Sequence, residues 1–287
     1  MISAFKYFGG KNLLARKLVH LIPPHITYVE PFGGSAALLF AKQPSKVEIY
    51  NDIHSDLANF FRILKSLEAT QVLHENLSYT PVSREEYKEF LAYFKTLPDW
   101  IDTAGDLTRA YLWYYIQISS FAGAWGRAWG LSLVQNQAKT FVNTINRLPN
   151  LHQRFQHVVV ENTDFERVLD NYDSADTFFY LDPPYVPSTR SDSTCNYKNE
   201  LTDADHERLL EIITSSEFYG KVMLNGYHNP LYDEVLSEWN CIDFKGMPCP
   251  SFAKTRQHSQ KETHKRTETI WINYPLEQSL DQLSLFQ

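Results

Sequence analysis

The sequence predicts an α/β chain in which a mostly parallel sheet, covered by helices on both faces, is interrupted by a helical insert. Two observations carry that expectation. Short apolar strands alternate with amphipathic helices over the first 60 residues, and the alternation resumes near residue 156. Between residues 62 and 152 it lapses, and helical periodicity alone remains.

Residues 12–21 place apolar side chains at helical spacing, and 27–30 (Thr-Tyr-Val-Glu) read as a short strand. A glycine turn leads into a helix over 35–42. Residues 46–50 read as the next strand and 55–67 as a helix. Beyond the insert, the pattern predicts a strand at 156–160, a helix from Phe165 and an apolar strand at 177–181. Thr202-Asp203-Ala204-Asp205 carries capping-box residues and opens a helix through Ile213. Strands are expected at 221–224 and 267–273. Within the insert, helices are expected over 84–96, 107–118 and 139–148, with Tyr111, Trp113, Tyr114 and Tyr115 in its core. The expected division is 1–61 with 153–275 as one domain, 62–152 as the inserted domain and 276–287 as a tail.

At 287 residues and 43% apolar, the chain can fill one large or two modest cores. It has no run of 18 apolar residues, and its start is unlike a signal peptide. Cys195, Cys241 and Cys249 are an odd number without metal-ligand spacing, so free thiols of a cytoplasmic protein are expected, and no metal. The net charge of −7 argues against nucleic acid, but its distribution argues back. Residues 107–160 hold no Asp or Glu, yet contain Arg109, Arg127, Lys139, Arg147 and Arg154. A second basic stretch, 245–266, contains Lys254 and Arg256 among six cations against Glu262 alone. Such local surfaces can bind phosphates.

The chemistry is concentrated in Asp182-Pro183-Pro184-Tyr185, directly after the strand at 177–181. That order suits methylation of an amino group on a heteroaromatic base, whose nitrogen is a poor nucleophile. A carboxylate and a backbone carbonyl that each accept an amino hydrogen draw the nitrogen towards tetrahedral geometry and stabilise its developing charge. Asp182 and the Pro183 carbonyl can be those acceptors. The prolines restrict the backbone that aims them. Tyr185 offers a stacking face, worth about 1–3 kcal/mol. Upstream, Glu30-Pro31-Phe32-Gly33-Gly34-Ser35-Ala36 lies at a strand-to-helix turn where glycines let a ligand approach the backbone. Asp52 follows Gly34 at the spacing of an acid that holds ribose hydroxyls. No full Gly-x-Gly-x-x-Gly and no Walker-type lysine is present.

Phe5 to Lys11, Glu30 to Ala36, Ile49 to Leu57 and Asp182 to Tyr185 together resemble, in order and spacing, the Dam-type adenine-specific DNA methyltransferases. The resemblance implies a Rossmann-like S-adenosylmethionine-dependent sheet with a helical target-recognition domain inserted before the tetrad. It implies Tyr7, Lys11, Asp52 and Asp182 as donor-binding residues, with Gly34 at the turn and Phe32 and Asp164 beside the donor's adenosine. Asp182, Pro183 and Tyr185 become the catalytic group. Ala36 stands where many members carry glycine, and Ala122 where relatives usually carry asparagine.

An amino group inside a duplex is hidden, so base flipping is expected, at a cost of a few kcal/mol. Lys6, the polar run 186–200 with Arg190, Tyr197 and Lys198, and the downstream pair Lys254 and Arg256 are expected at the DNA. In the insert, Arg127 can donate to guanine, and Phe121 or Trp125 can fill the space a flipped base leaves. GATC is one candidate target. Gln282, Leu283, Leu285 and Phe286 resemble the pentapeptide with which bacterial replication proteins dock on the sliding clamp. An RNA adenine methyltransferase and a non-catalytic DNA-binding module on the same fold are the rival readings.

Overall fold

The structure is a computed structural model that describes residues 3–7, 11–99, 105–130, 135–186, 201–248 and 265–276. Among these, seven strands form one mixed sheet: β1 (Thr27–Glu30), β2 (Val47–Asn51), β3 (Val159–Glu161), β4 (Thr177–Leu181), β5 (Lys221–Gly226), β6 (Asn240–Pro248) and β7 (Lys265–Ile272), in the order β3-β2-β1-β4-β5-β7-β6. The pairs β2–β3, β1–β4 and β4–β5 are parallel, whereas β7 is antiparallel to both β5 and β6. β6 was not expected. Its residues Asn240, Cys241 and Asp243 are polar or exposed, so an edge strand here lacks the apolar run that marks the others.

The helices are α1 (Asn12–Leu18), α2 (Ala37–Ala41), α3 (Ser55–Lys65), α4 (Leu67–Tyr79), α5 (Arg84–Phe94), α6 (Leu107–Ser119), α7 (Gln137–Ile145), α8 (Leu148–Phe155), α9 (Phe165–Tyr172), α10 (Asp203–Thr214) and α11 (Pro230–Val235). Polar side chains start most of them. Ser66, Ser83, Asp106, Asn136, Asp164 and Asn229 each accept a backbone N–H of the first turn, and Thr202 with Asp205 closes a full capping box.

Several boundaries moved for local reasons. The helix expected over 35–42 starts only at Ala37, because Ala36 sits in the left-handed region at φ 55°. The helix expected over 55–67 ends at Lys65. Ser66 is extended there, and its hydroxyl caps a new helix, α4, that was not expected. The strand expected at 156–160 begins at Val159, since α8 runs to Phe155 and Gln156 keeps helical dihedrals.

The chain divides into two compact units. The first comprises Met1–Asn12, Gly33–Pro44 and Glu48–Asn162. Phe5 is its keystone: the ring lies 5.3 Å from Trp113 and 5.5 Å from Phe60, and all three are buried. The neighbouring backbone is tied to the helices as well. Gln117 Nε2 donates to the Lys6 carbonyl at 2.8 Å, and Arg147 donates to the Ser3 carbonyl at 2.6 Å. Trp113, Tyr114 and Tyr115 are buried as expected, and Tyr111 is half-buried. The second unit comprises Leu13–Phe32, Ser45–Val47 and Thr163–Gln287. There β4 buries all five residues, and Tyr28 and Phe178 pack at 5.7 Å.

The acid-free stretch is not a simple basic face. Arg109 is buried, donates to Asp56 at 2.5 Å and to the Pro98 carbonyl at 2.7 Å, and lies over the Phe94 ring. Arg154 pairs with Glu48 at 2.6 Å beside Lys42, and against burial Arg154 and then Lys42 hold the Glu48 carboxyl below its usual range. With Arg147 on the backbone, three of the five cations serve the fold. Arg127 and Lys139 are exposed. The acids these arginines need lie outside residues 107–160, so the local charge count could not reveal the pairing.

Candidate active site

In the first unit, Tyr7, Gly34 and Asp52 are brought together. Gly34 has φ 49°, and its N–H donates to Asp52 Oδ2 at 2.9 Å. Asp52 Oδ1 accepts the His54 N–H at 2.8 Å. Burial pushes this half-buried carboxyl above its usual range, and the two N–H donors and His54 oppose the shift. A carboxylate so desolvated gains from further hydroxyl donors. The Tyr7 ring lies 3.7 Å from where a Gly34 Cβ would stand, so the opening segment covers the turn. Lys11 is buried in the same unit.

Tyr50 is the support that the sequence reading overlooked. Its ring lies under Gly33, and its hydroxyl donates to the Gly34 carbonyl at 2.8 Å. A Cβ on Gly33 would fall 2.2 Å from the fully buried Tyr50 ring. Gly33→Ala is therefore expected to cost about 1–3 kcal/mol through overpacking and to weaken donor binding. A urea midpoint and a donor titration check both; an unchanged midpoint would mean the ring can yield. Ala36 occupies a left-handed position, where L-residues other than glycine pay about 1–2 kcal/mol. Ala122 does the same at φ 55°. Both departures from the family pattern thus fall on the two positive-φ non-glycine residues among those described. Glycine and asparagine tolerate that region most readily, which is a physical reason for the usual residues there.

In the second unit, β4 delivers the tetrad. Asp182 is half-buried, and Asn225 Nδ2 donates to its Oδ1 at 2.7 Å. The register places Leu181 opposite Leu224, so Asn225, the next residue of β5, lies at the same end of the sheet as Asp182. Tyr185 stacks on Tyr227 with ring centroids 4.1 Å apart, and its hydroxyl donates to Glu268 at 3.0 Å. Tyr227 donates to Glu268 too, at 3.3 Å. A cleft open to solvent is lined by Pro183, Tyr185, Asn225, Tyr227 and Asn229 among others. The Tyr180 phenol is pushed up by burial and then by the carboxylates of Asp182, Glu30 and Glu268, so this end of the sheet is a region of negative potential. Asn225, Tyr227 and Glu268 were not anticipated. The legible signals were a lone asparagine in Val-Met-Leu-Asn and a glutamate just ahead of the apolar Ile-Trp-Ile.

Phe32 and Asp164 also belong to the second unit. Phe32 packs on Phe165 at 5.4 Å, one residue from Asp164. Asp164 caps α9 by accepting the Glu166 N–H at 3.0 Å. Lys6 and Phe121 are exposed. Trp125 is held in the fold instead, its N–H donated to the Trp113 carbonyl at 3.2 Å and its ring against Phe94. Arg190, Tyr197, Lys198, Lys254, Arg256, Gln282, Leu283, Leu285 and Phe286 lie outside the described residues.

Residues 7–247 match the model of the D12 class N6 adenine-specific DNA methyltransferases. The chain is 27% identical over 286 residues to the type II methyltransferase M1.LlaDCHI of Lactococcus lactis subsp. cremoris, covering 94% of each chain. It is 25% identical to the type II methyltransferase M.MjaIII of Methanocaldococcus jannaschii, over 78% of this chain and 83% of that one. It is 22% identical to the DNA N-6-adenine-methyltransferase of Escherichia phage P1, over 81% of this chain and 31% of that one. A carboxylate at the end of a central strand, held by an asparagine beside a stacked tyrosine, stands at the tetrad within the matched span, and the chain belongs to the D12 class N6 adenine-specific DNA methyltransferase family.

Proposed function

We propose that the enzyme methylates N6 of an adenine flipped from a short duplex site, GATC being one candidate, and that Asp182, Pro183 and Tyr185 carry the reaction. The observation that supports this most is the arrangement at Asp182. Asn225 fixes one carboxylate oxygen, and the stacked pair Tyr185–Tyr227 lines the adjoining cleft. Asp182 accepts one amino hydrogen and the Pro183 carbonyl the other. Tyr185 stacks on the base. Positioning supplies most of the acceleration, because the acceptors are oriented before the base arrives.

S-adenosylmethionine, the family's methyl donor, supplies an electrophilic methyl on a sulfonium when bound. The residues present fit it. Asp52 offers an acceptor to ribose hydroxyls, the glycine turn leaves its backbone approachable, and Tyr7 covers that turn. Lys11, Phe32, Gly34, Asp164 and Asp182 complete the proposed donor set. No metal takes part in the transfer.

Residues 62–152 read the target in this proposal, with Arg127 donating to a guanine. Phe121, 46% exposed, fills the space left by the flipped base better than the engaged Trp125. Lys6, Arg190, Tyr197, Lys198, Lys254 and Arg256 contact DNA around it. Methylation with labelled donor of random-sequence duplex and of structured RNA tests the reading. N6-methyladenine in duplex DNA is the expected product, and label confined to RNA overturns it.

Among the described residues no helix is long and apolar enough to cross a membrane. The reading extends to a cytoplasmic enzyme of a bacterium or phage that works at the nucleoid. Gln282, Leu283, Leu285 and Phe286 dock on the bacterial sliding clamp, supported by the adjacent pair Leu285 and Phe286, which suits an apolar pocket. Deleting residues 280–287 is expected to abolish clamp pull-down and to spare methylation of short duplexes. Clamp capture by the shortened chain sinks this part alone.

A further inference from the structure

Away from the tetrad, the exit of β5, helix α11 and the edge strand β6 bring four polar side chains together. Cys241 and Asp243 are two residues apart on β6 and so share a face. They pair in register with Trp271 and Thr269. His228 follows β5 and lies edge-on to Trp271, with centroids 5.6 Å apart. One ligand atom each of His228, Cys241 and Asp243 falls within 4.8 Å of the others, and all three remain reachable from solvent.

The imidazole is oriented from behind. His228 Nδ1 lies 2.6 Å from Asp233 Oδ1, and a carboxylate can only accept there, so Nδ1 carries the proton. Nε2 then points at Asp243 Oδ1, 3.1 Å away. Two lone pairs that face each other at that distance need a cation between them, either a second proton or a metal ion. Thr269 Oγ1 donates to the same Asp243 oxygen at 2.8 Å, which steadies the carboxylate. Asp233, above all, raises the His228 pKa, while burial and then Asp243 and Asp233 raise that of the Cys241 thiol.

We propose that His228 Nε2, Cys241 Sγ and the Asp243 carboxylate bind a divalent transition metal of the zinc type, with Asp233 as the outer carboxylate that orients the histidine. Nitrogen, thiolate and carboxylate together are a zinc-type donor set, and three protein ligands leave a position for water. A carboxylate on the non-ligating nitrogen is the usual support of a metal-bound histidine. Ligand–metal distances of about 2.0–2.3 Å require only small rotations of exposed side chains. The site would tie β6 to the segment that carries Tyr227 and Asn229 into the cleft, so occupancy would steady the cleft wall. It is independent of the donor and acceptor assignments, and the cysteine spacing alone gave no hint of it.

The test is a cobalt(II) titration of the metal-stripped full chain. A thiolate-to-cobalt absorption band that saturates at one equivalent is expected, together with a zinc-dependent rise in the unfolding midpoint. Cys241→Ser should abolish the band, and His228→Gln should remove the midpoint rise. Asp233→Asn should weaken affinity about 10- to 100-fold. A Cys195→Ser/Cys249→Ser chain should keep the band. Circular dichroism checks the fold of each variant. Absence of stoichiometric binding, or a band that survives Cys241→Ser, overturns the proposal; the first result would mean that a second proton on His228 bridges the pair.

Discussion

Asp182→Ala is expected to lower kcat about 10³-fold, the scale on which a preorganised electrostatic group acts, or about 4 kcal/mol of transition-state stabilisation. The carboxylate is the only part of the tetrad that can accept an amino hydrogen and oppose the developing positive charge at once. Its loss also strands the Asn225 amide, which donates to it now. Duplex affinity should fall far less, because phosphate contacts dominate that term. Single-turnover kinetics with saturating donor and duplex separate the two. Activity within tenfold of wild type would remove Asp182 from the chemistry and with it the central role assignment.

Arg109→Ala is expected to cost about 3–5 kcal/mol of stability, because it takes the guanidinium away from the buried Asp56 carboxylate. Both side chains are 3% exposed, so solvent cannot take over. The Pro98 carbonyl also loses its donor. Replacing the pair together, Asp56→Leu with Arg109→Met, should recover much of the loss, since a packed apolar pair pays no desolvation. Urea denaturation of the two single variants and the double variant reads the coupling. If Arg109→Ala moves stability by less than about 1 kcal/mol, the pair is not the clamp between α3 and α6 that its geometry indicates.

The elements that the sequence made legible share a property: their signal is local. The strand ending in Asp182, the helix start at Thr202 and the aromatic core of α6 follow from periodicity and capping within a dozen residues. Misjudged boundaries came from single residues. Ala36 takes a left-handed conformation that no composition rule assigns to alanine, and Ser66 both breaks one helix and caps the next. The edge strand β6 gains its strand character from pairing with β7, which lies across residues 249–264 in the chain.

By itself, the sequence determined the chemistry: a carboxylate, two prolines and a tyrosine after an apolar strand, a glycine turn, and an acid at ribose spacing. Those groups act through atoms supplied within a few residues, so their order along the chain is enough to name the reaction. The tertiary structure alone decided which groups hold them. Asn225 reaches Asp182, Glu268 reaches Tyr185 and Tyr50 lies under Gly33, although 43, 83 and 17 residues separate the partners. It also turned three arginines of a basic stretch into braces for buried acids and carbonyls. Such pairings depend on sheet register and helix packing, which place distant residues side by side without any trace in local composition.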